Sequence, residues 1–265
     1  MYGAFEPILK ASPTDGVEIT KNISYGSDPK QALDVYRPKG KTNVPVVIFI
    51  HGGAYVAGDK EEGANITVWF ARQGVLGINA NYPLAPEHKW PSGAQDVARV
   101  VAWTKANAAK YDGDPARIFL IGHSAGATHV ASYVFDKSMQ PAGGAGLAGA
   151  VLISGRYRIG IDPRDPNAKN IQMYYGEDAS AYPARSAIAH AREPSVPVFI
   201  VICEYDNYNL DVQGAELLAL LCQRDGKCPR FTRLEKHNHI SEVAAFNTAD
   251  EQLGREILEF MKRGR

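Results

Sequence analysis

Short runs of uninterrupted apolar residues punctuate this chain, and between them lie longer segments in which apolar residues recur every three or four positions. The runs are PVVIFIHGG (45–53), VLGINANY (75–82), RIFLIGHS (117–124), GAVLISG (149–155) and VPVFIVICEYD (196–206). They are rich in Val and Ile with little period-two alternation, the pattern of parallel strands buried on both faces. The intervening segments, such as SGAQDVARVVAWTKANAAKY (92–111) and DVQGAELLALLCQRDGK (211–227), carry the helical period. Strand, helix, strand, helix predicts an α/β architecture, a mostly parallel sheet with helices on both faces. Ahead of it, VEITKNISYG (17–26) and QALDVYRPKG (31–40) read as an antiparallel hairpin at the N-terminal edge, and TADEQLGREILEFMKRG (248–264) reads as a closing amphipathic helix. The long stretch without a strand is 156–195, which carries Pro163, Pro166, Pro183 and Pro194. Such an excursion in a sheet of this kind is expected to lie as a small cover over the mouth of a site.

Length and composition narrow the function classes. With 265 residues, the expectation is one domain over 1–265. Apolar residues make up 45% and charged residues 22%, and 29 basic residues balance 29 acidic ones, so nothing in the charge favours nucleic acid or an acidic membrane as partner. No apolar stretch approaches the roughly 18–20 residues that a membrane helix needs. The opening MYGAFEPILKASPTDG lacks a basic region followed by an apolar one, so the expected location is cytoplasmic. Cys203, Cys222 and Cys228 are too few and too irregularly spaced for a disulfide framework or a zinc site, and are expected to be buried or idle thiols. The expected partner is a small molecule, with a homodimer left open.

One stretch carries a sharper signal. Gly122-His123-Ser124-Ala125-Gly126 joins a predicted strand to the predicted helix AGATHVASYVFDK, which is the G-x-S-x-G nucleophile elbow in its required strand, turn, helix context. Side chains two residues either side of the serine would strike the neighbouring backbone, hence glycine at both places. A serine hydroxyl becomes a nucleophile only when an imidazole takes its proton, and the imidazole needs a carboxylate to fix its tautomer. On an α/β-hydrolase fold these follow in the order Ser, Asp or Glu, His. The run 196–206 ends at Asp206, and RFTRLEKHNHISE reaches His237 and His239 before the next helix. Asp206 is preferred over Glu204, which falls inside the strand, and over Asp211, which falls in the following helix. His239 is preferred over His237, which reads as a turn residue.

Acyl transfer also needs donors aimed at the oxygen that becomes negative. HGGAY (51–55) follows the strand VVIFI, and its glycines let backbone N–H groups approach a substrate. Gly53 and Ala54 are the expected donors beside Ala125 of the elbow, with His51 holding the loop. Tyr55, Tyr157, Tyr174, Tyr205 and Tyr208 lie near strand ends or in the excursion. Of these, Tyr55, Tyr157 and Tyr208, with His123 beside the serine, are the candidate pocket residues. No metal site and no cofactor are expected: the chain has neither G-x-G-x-x-G after its first strand nor G-x-x-x-x-G-K-[ST].

HGGAYVAGDK, NYPLAPEHKWPSGAQDV, IGHSAGA, EYD and HNHISE, in this order, resemble the esterase and lipase branch of the α/β-hydrolases related to hormone-sensitive lipase. LDVYRP and HGGAYVAGDK are also similar to the kynurenine formamidase and feruloyl-esterase-like group. The resemblance implies a carboxylic-ester hydrolase with Ser124, Asp206 and His239 as triad and Gly53, Ala54 and Ala125 as oxyanion donors. The chain departs from the pattern at Ala54, where a third glycine is usual, and at Tyr55, where the formamidase group has tryptophan. Ester, formamide and amide leaving groups all remain open, as does a non-catalytic ligand-binding member of the fold. Only 50 residues precede His51, so the cover must come chiefly from 156–195, and short acyl or aromatic esters are the expected substrates.

Overall fold

The computed structural model describes residues 5–263. Eight strands form one sheet: β1 Val17–Ser24, β2 Ala32–Pro38, β3 Val44–Ile50, β4 Leu76–Ala80, β5 Gly113–His123, β6 Gly149–Ile153, β7 Val198–Tyr205 and β8 Arg230–Asn238. Their order across the sheet is β1-β2-β4-β3-β5-β6-β7-β8. The β1–β2 and β2–β4 pairs are antiparallel and all the others parallel. This is the α/β-hydrolase fold with an antiparallel N-terminal edge. β2 is more than edge, since it is paired on both sides and largely buried.

The apolar runs work as strands because both of their faces are covered. Val46, Ile48, Ile50, Ile118, Leu120, Ala150, Leu152, Val198 and Ile200 point to one face. There they meet Val97, Val100 and Val101 of the helix Ser92–Asn107, Val130 and Val134 of Ala125–Phe135, and Leu217 and Leu221 of Leu210–Asp225. Val47, Phe49, Phe119, Ile121, Val151, Ile153, Phe199 and Val201 point to the other. That face is closed by Ile66, Trp69 and Phe70 of the helix Ala64–Arg72 and by Leu253, Ile257 and Phe260 of Gln252–Arg263. Gly264, the last residue of the predicted closing segment, and residues 1–4 of the chain's opening lie outside the described residues. The excursion 156–195 contains the helix Ala168–Tyr175 and two shorter helical pieces, Tyr182–Arg185 and Ala187–His190.

One expectation is corrected here. Cys222 and Cys228 are not idle thiols but a disulfide, closed across six residues with their Cα atoms 4.0 Å apart. The helix ending at Asp225 is capped by Gly226 in the left-handed conformation, which turns the chain back so that a cysteine after the cap reaches one before it. A pair this local depends on the turn, and the cysteine count could not register it. Disulfides persist best in oxidising compartments, so the bond weighs against the cytoplasmic expectation. Cys203 is free and buried in β7. Among the described residues, no helix is long and apolar enough to cross a membrane.

Candidate active site

β5 delivers Ser124 to the carboxyl edge of the sheet. Its φ of 56° and ψ of −123° place it in a region that costs a non-glycine residue about 1–3 kcal/mol. Three contacts hold it there. Its N–H donates to the Ile153 carbonyl at 2.9 Å, its carbonyl accepts from Thr128 N–H at 3.1 Å, and the helix Ala125–Phe135 begins directly behind it. The flanking glycines are steric necessities: a Cβ on Gly126 would overlap the Ile50 and His51 carbonyl oxygens, and one on Gly122 would lie 2.5 Å from the Gly126 oxygen. Ser124 is only half-buried within a segment otherwise buried throughout.

Facing it is the loop 51–60. Gly53, Ala54 and Tyr55 all have positive φ, at 124°, 49° and 72°. A Cβ on Gly53 would overlap the Ala57 carbonyl, and one on Gly52 would come within 2.9 Å of Ser124 Cβ. The N–H groups of Gly53 and Ala54 donate to no backbone acceptor among the described residues. The loop is clamped from behind. His51 Nδ1–H donates to the Gly52 carbonyl at 2.7 Å, its ring stacks on Tyr82 at 4.5 Å, and the Tyr82 hydroxyl donates to the His51 carbonyl at 2.9 Å. Burial lowers the His51 pKa to about 4, so this imidazole is neutral and structural. At the far end, Lys60 forms a buried ion pair with Asp34 at 3.0 Å.

Asp206 follows β7 and His239 follows β8. His239 Nδ1 donates to Asp206 Oδ1 at 2.8 Å, and Asn207 N–H donates to the same oxygen at 2.8 Å. Burial pushes the Asp206 pKa up, but the hydrogen bond and charge of His239 outweigh it and hold the carboxyl below its ordinary range. The rival residues are engaged elsewhere. Glu204 accepts the Lys236 N–H at 2.7 Å, and Asp211 lies in the first turn of its helix. His237 bonds Ser241 Oγ at 3.2 Å and lies 3.0 Å from Asp250; it lies within β8, one residue before its end, and not in the turn.

The four candidate pocket residues divide. A small cleft, partly open to solvent, is lined by Ala54, Tyr55, Ser124, Ala125, Arg156, Asn167, Ile171, Asn207 and Leu210. Tyr55 belongs to it, and stacks at 4.9 Å on Tyr174 of the excursion. Tyr157 does not: it is packed in the core against the sheet, because the chain after β6 turns inward at Gly155. Tyr208 stands at the outer rim, where its hydroxyl donates to Asp162 at 2.7 Å. His123 points away from the cleft, and its Nε2–H donates to the His239 carbonyl at 2.8 Å. Burial lowers its pKa to about 4, so it is a neutral strut between the elbow and the histidine loop.

Sequence reasoning missed Glu242 and Arg156. Glu242 is fully buried beneath His239. Its Oε2 accepts from Ser154 Oγ at 3.0 Å, and its Oε1 lies 3.3 Å from His123 Nε2 and 3.7 Å from His239 Nδ1. Burial first, then the Asp206 charge, pushes its pKa up to about 8. The carboxyl is therefore neutral near pH 7 and sets no second negative charge against Asp206. The available signal was a lone charged residue, one helical turn after His239, in the mostly apolar ISEVAAF. His123, His239 and Glu242 come close enough to suggest metal ligands, as do Cys203, Asp206 and Glu242. In the first group the imidazole nitrogens nearest Glu242 carry protons given to the His239 carbonyl and Asp206, and those nitrogens offer no lone pair there; in the second, burial pushes the Cys203 thiol pKa up, which disfavours the thiolate.

Comparison with known proteins bears on the fold and on esterase relatives. A family model described as BD-FAE matches residues 33–138, which include the loop 51–60 and the elbow. The chain has the α/β-hydrolase fold and is similar in sequence to esterases. It is similar to esterase LipC of Mycobacterium tuberculosis (strain ATCC 25618 / H37Rv), with 39% identity over 40% of this chain and 27% of that protein. It is also similar to the arylesterase of Saccharolobus solfataricus, with 28% identity over 76% of this chain and 71% of that protein. The chain spans about a quarter to a third of the length of LipC and of the plant isoprenylcysteine alpha-carbonyl methylesterases that it matches. In three dimensions it resembles esterase B from Lactobacillus Rhamnosis (HN001), at TM-score 0.82 and 17% identity over 98% of this chain and 90% of that one. That likeness bears on the fold alone.

Proposed function

We propose that this α/β-hydrolase is a serine carboxylic-ester hydrolase acting on small-molecule esters with short acyl or aromatic groups. The observation that carries the reading is the 2.8 Å bond between His239 Nδ1 and Asp206 Oδ1, at the sheet edge where the strained Ser124 emerges. In this reading the bond fixes the tautomer that leaves His239 Nε2 free to take the Ser124 proton. Ser124 Oγ attacks the ester carbonyl, the N–H groups of Gly53, Ala54 and Ala125 hold the oxyanion, and the alcohol leaves with the proton from His239. Water, deprotonated by the same imidazole, then attacks the acyl-enzyme and releases the acid. No step calls on a cofactor.

Two features favour small substrates. The cleft is narrow, and its cover is pinned, since Tyr174 stacks on Tyr55 while its hydroxyl accepts from Gly93 N–H at 3.0 Å. The esterase and arylesterase names of the relatives point the same way. Residues 156–195 are read as the cover of a single catalytic domain, which works without nucleic acid or membrane. A cytoplasmic location belongs to this reading only if alkylation of freshly extracted protein finds Cys222 and Cys228 as thiols.

The experiment is a kcat/KM series over 4-nitrophenyl acyl esters of rising chain length, beside feruloyl esters and N-formylkynurenine. A maximum between about C2 and C6 or on an aromatic ester is expected. A maximum beyond about C10 would overturn the size inference, and turnover of the formamide alone would overturn the ester reading.

A further inference from the structure

The cleft beside Ser124 contains a charge that ester hydrolysis does not require. Arg156 follows β6 at the carboxyl edge, and its backbone is fixed by an N–H bond to Thr128 Oγ1 at 3.1 Å. Its side chain is about 10% exposed, and its Nη2 pairs with Asp165 of the cover. Asp165 is itself buried, and its other oxygen accepts the Asn167 N–H at 2.8 Å. Both carboxylate oxygens are thus engaged, and Asp165 grips the guanidinium along one edge only.

The other two nitrogens are different. Arg156 Nε and Nη1 have no acceptor among the described residues, yet they are not among the buried polar atoms cut off from solvent. Since Arg156 lines the cleft, the accessible remainder of this nearly buried group faces it. The side-chain amides of Asn167 and Asn207 line the same cleft, while Tyr55, Ile171 and Leu210 supply apolar wall. A guanidinium held at Nη2 by one carboxylate, with N–H groups on Nε and Nη1 left unpaired, keeps charged donors for a carboxylate that enters the cleft. Were Arg156 only a peg joining the cover to the sheet, a single-point donor such as lysine would serve as well.

We propose that Arg156 is a carboxylate-recognition site, and that the preferred substrates are esters carrying a free carboxylate beside the scissile bond. The proposal rests on reading Ser124 as the nucleophile. A charge-assisted pair with a nearly buried guanidinium is expected to favour the acid over its neutral counterpart by roughly tenfold to a hundredfold in kcat/KM.

The test uses two acid and methyl-ester pairs: monoethyl adipate against ethyl methyl adipate, followed by ethanol release, and 4-acetoxybenzoate against its methyl ester, followed by acetate release. The first places the carboxylate on the acyl side and the second on the alcohol side. Each ratio of acid to methyl ester is measured for the wild type, for Arg156→Lys, and for Arg156→Met combined with Asp165→Asn, which leaves neither charge buried alone. We expect at least a tenfold preference for the acid in one pair, reduced in the lysine variant and brought to one or below in the double variant. A merely structural arginine would lower both members of a pair together and leave the ratio unmoved. Ratios near one in the wild type, or a ratio that survives in the folded double variant, would overturn the proposal. If the wild type cleaves neither the acids nor the methyl esters, the ester reading itself has failed.

Discussion

Ser124 and His239 reach the same edge of the sheet by opposite means. The serine side is built from main chain: φ of 56°, two glycines whose Cβ atoms would overlap carbonyl oxygens, and a helix start. The histidine side is built from side chains: Asp206, His123, Ser154 and Glu242 surround His239 in a buried polar nest. The first is rigid because any other geometry collides. The second is held by hydrogen bonds and by the protonation states that make them work. Changes on the serine side should therefore act through shape and be indifferent to pH, whereas changes on the histidine side should act through charge and follow it.

The largest effect tests the serine side. Ser124→Ala should retain the fold and lose ester turnover by about four to six orders of magnitude, flat across pH. A variant keeping a tenth of the activity would remove this serine from the mechanism. Next come paired substitutions on the histidine side. Asp206→Asn should cost about 10⁴ in kcat, as expected when the imidazole loses its tautomer, while Glu204→Gln stays within about threefold. His239→Ala should be as inactive, and His237→Ala should lose stability more than turnover, since it ties β8 to Asp250.

Glu242 sharpens the contrast. Its carboxyl has a folded pKa of about 8, raised by burial from an ordinary 4.5, so the fold keeps a proton that the unfolded chain releases. The neutral group is fully compatible with the fold below about pH 4.5, and stability is lost as pH rises from there through 8. Glutamine does not titrate. Glu242→Gln should therefore gain on the wild type as pH rises, by up to about 1.4 kcal/mol per unit in that window, in urea melts at pH 5, 7 and 9. A difference that does not change with pH would show that Glu242 is not the proton-holding group. Smallest is the steric control: Gly126→Ala should cost about 2–3 kcal/mol at every pH, against nearly nothing for Gly143→Ala, whose Cβ would meet open space.

The same contrast explains what the sequence made legible. The strands, the elbow turn and the placing of Asp206 and His239 just after their strands could be read because each is a local pattern or follows from strand order. The glycines of the elbow announce their own steric reason. Glu242 and His123 escaped because their roles depend on β5, β6 and β8 meeting side by side, which no local pattern encodes. Arg156 escaped for the same reason: its partner Asp165 and its neighbour Ser124 belong to different elements. Tyr157 was misread because proximity to a strand end does not say whether a side chain turns toward the cleft or the core.

The most direct measurement is covalent trapping. Wild-type protein incubated with a short-chain 4-nitrophenyl alkylphosphonate should release one equivalent of nitrophenol and gain one phosphonyl mass, located by peptide sequencing on Ser124. His239→Ala should label far more slowly and Ser124→Ala not at all. An unlabelled wild type, or a label on any other residue, would contradict Ser124 as the nucleophile of this site.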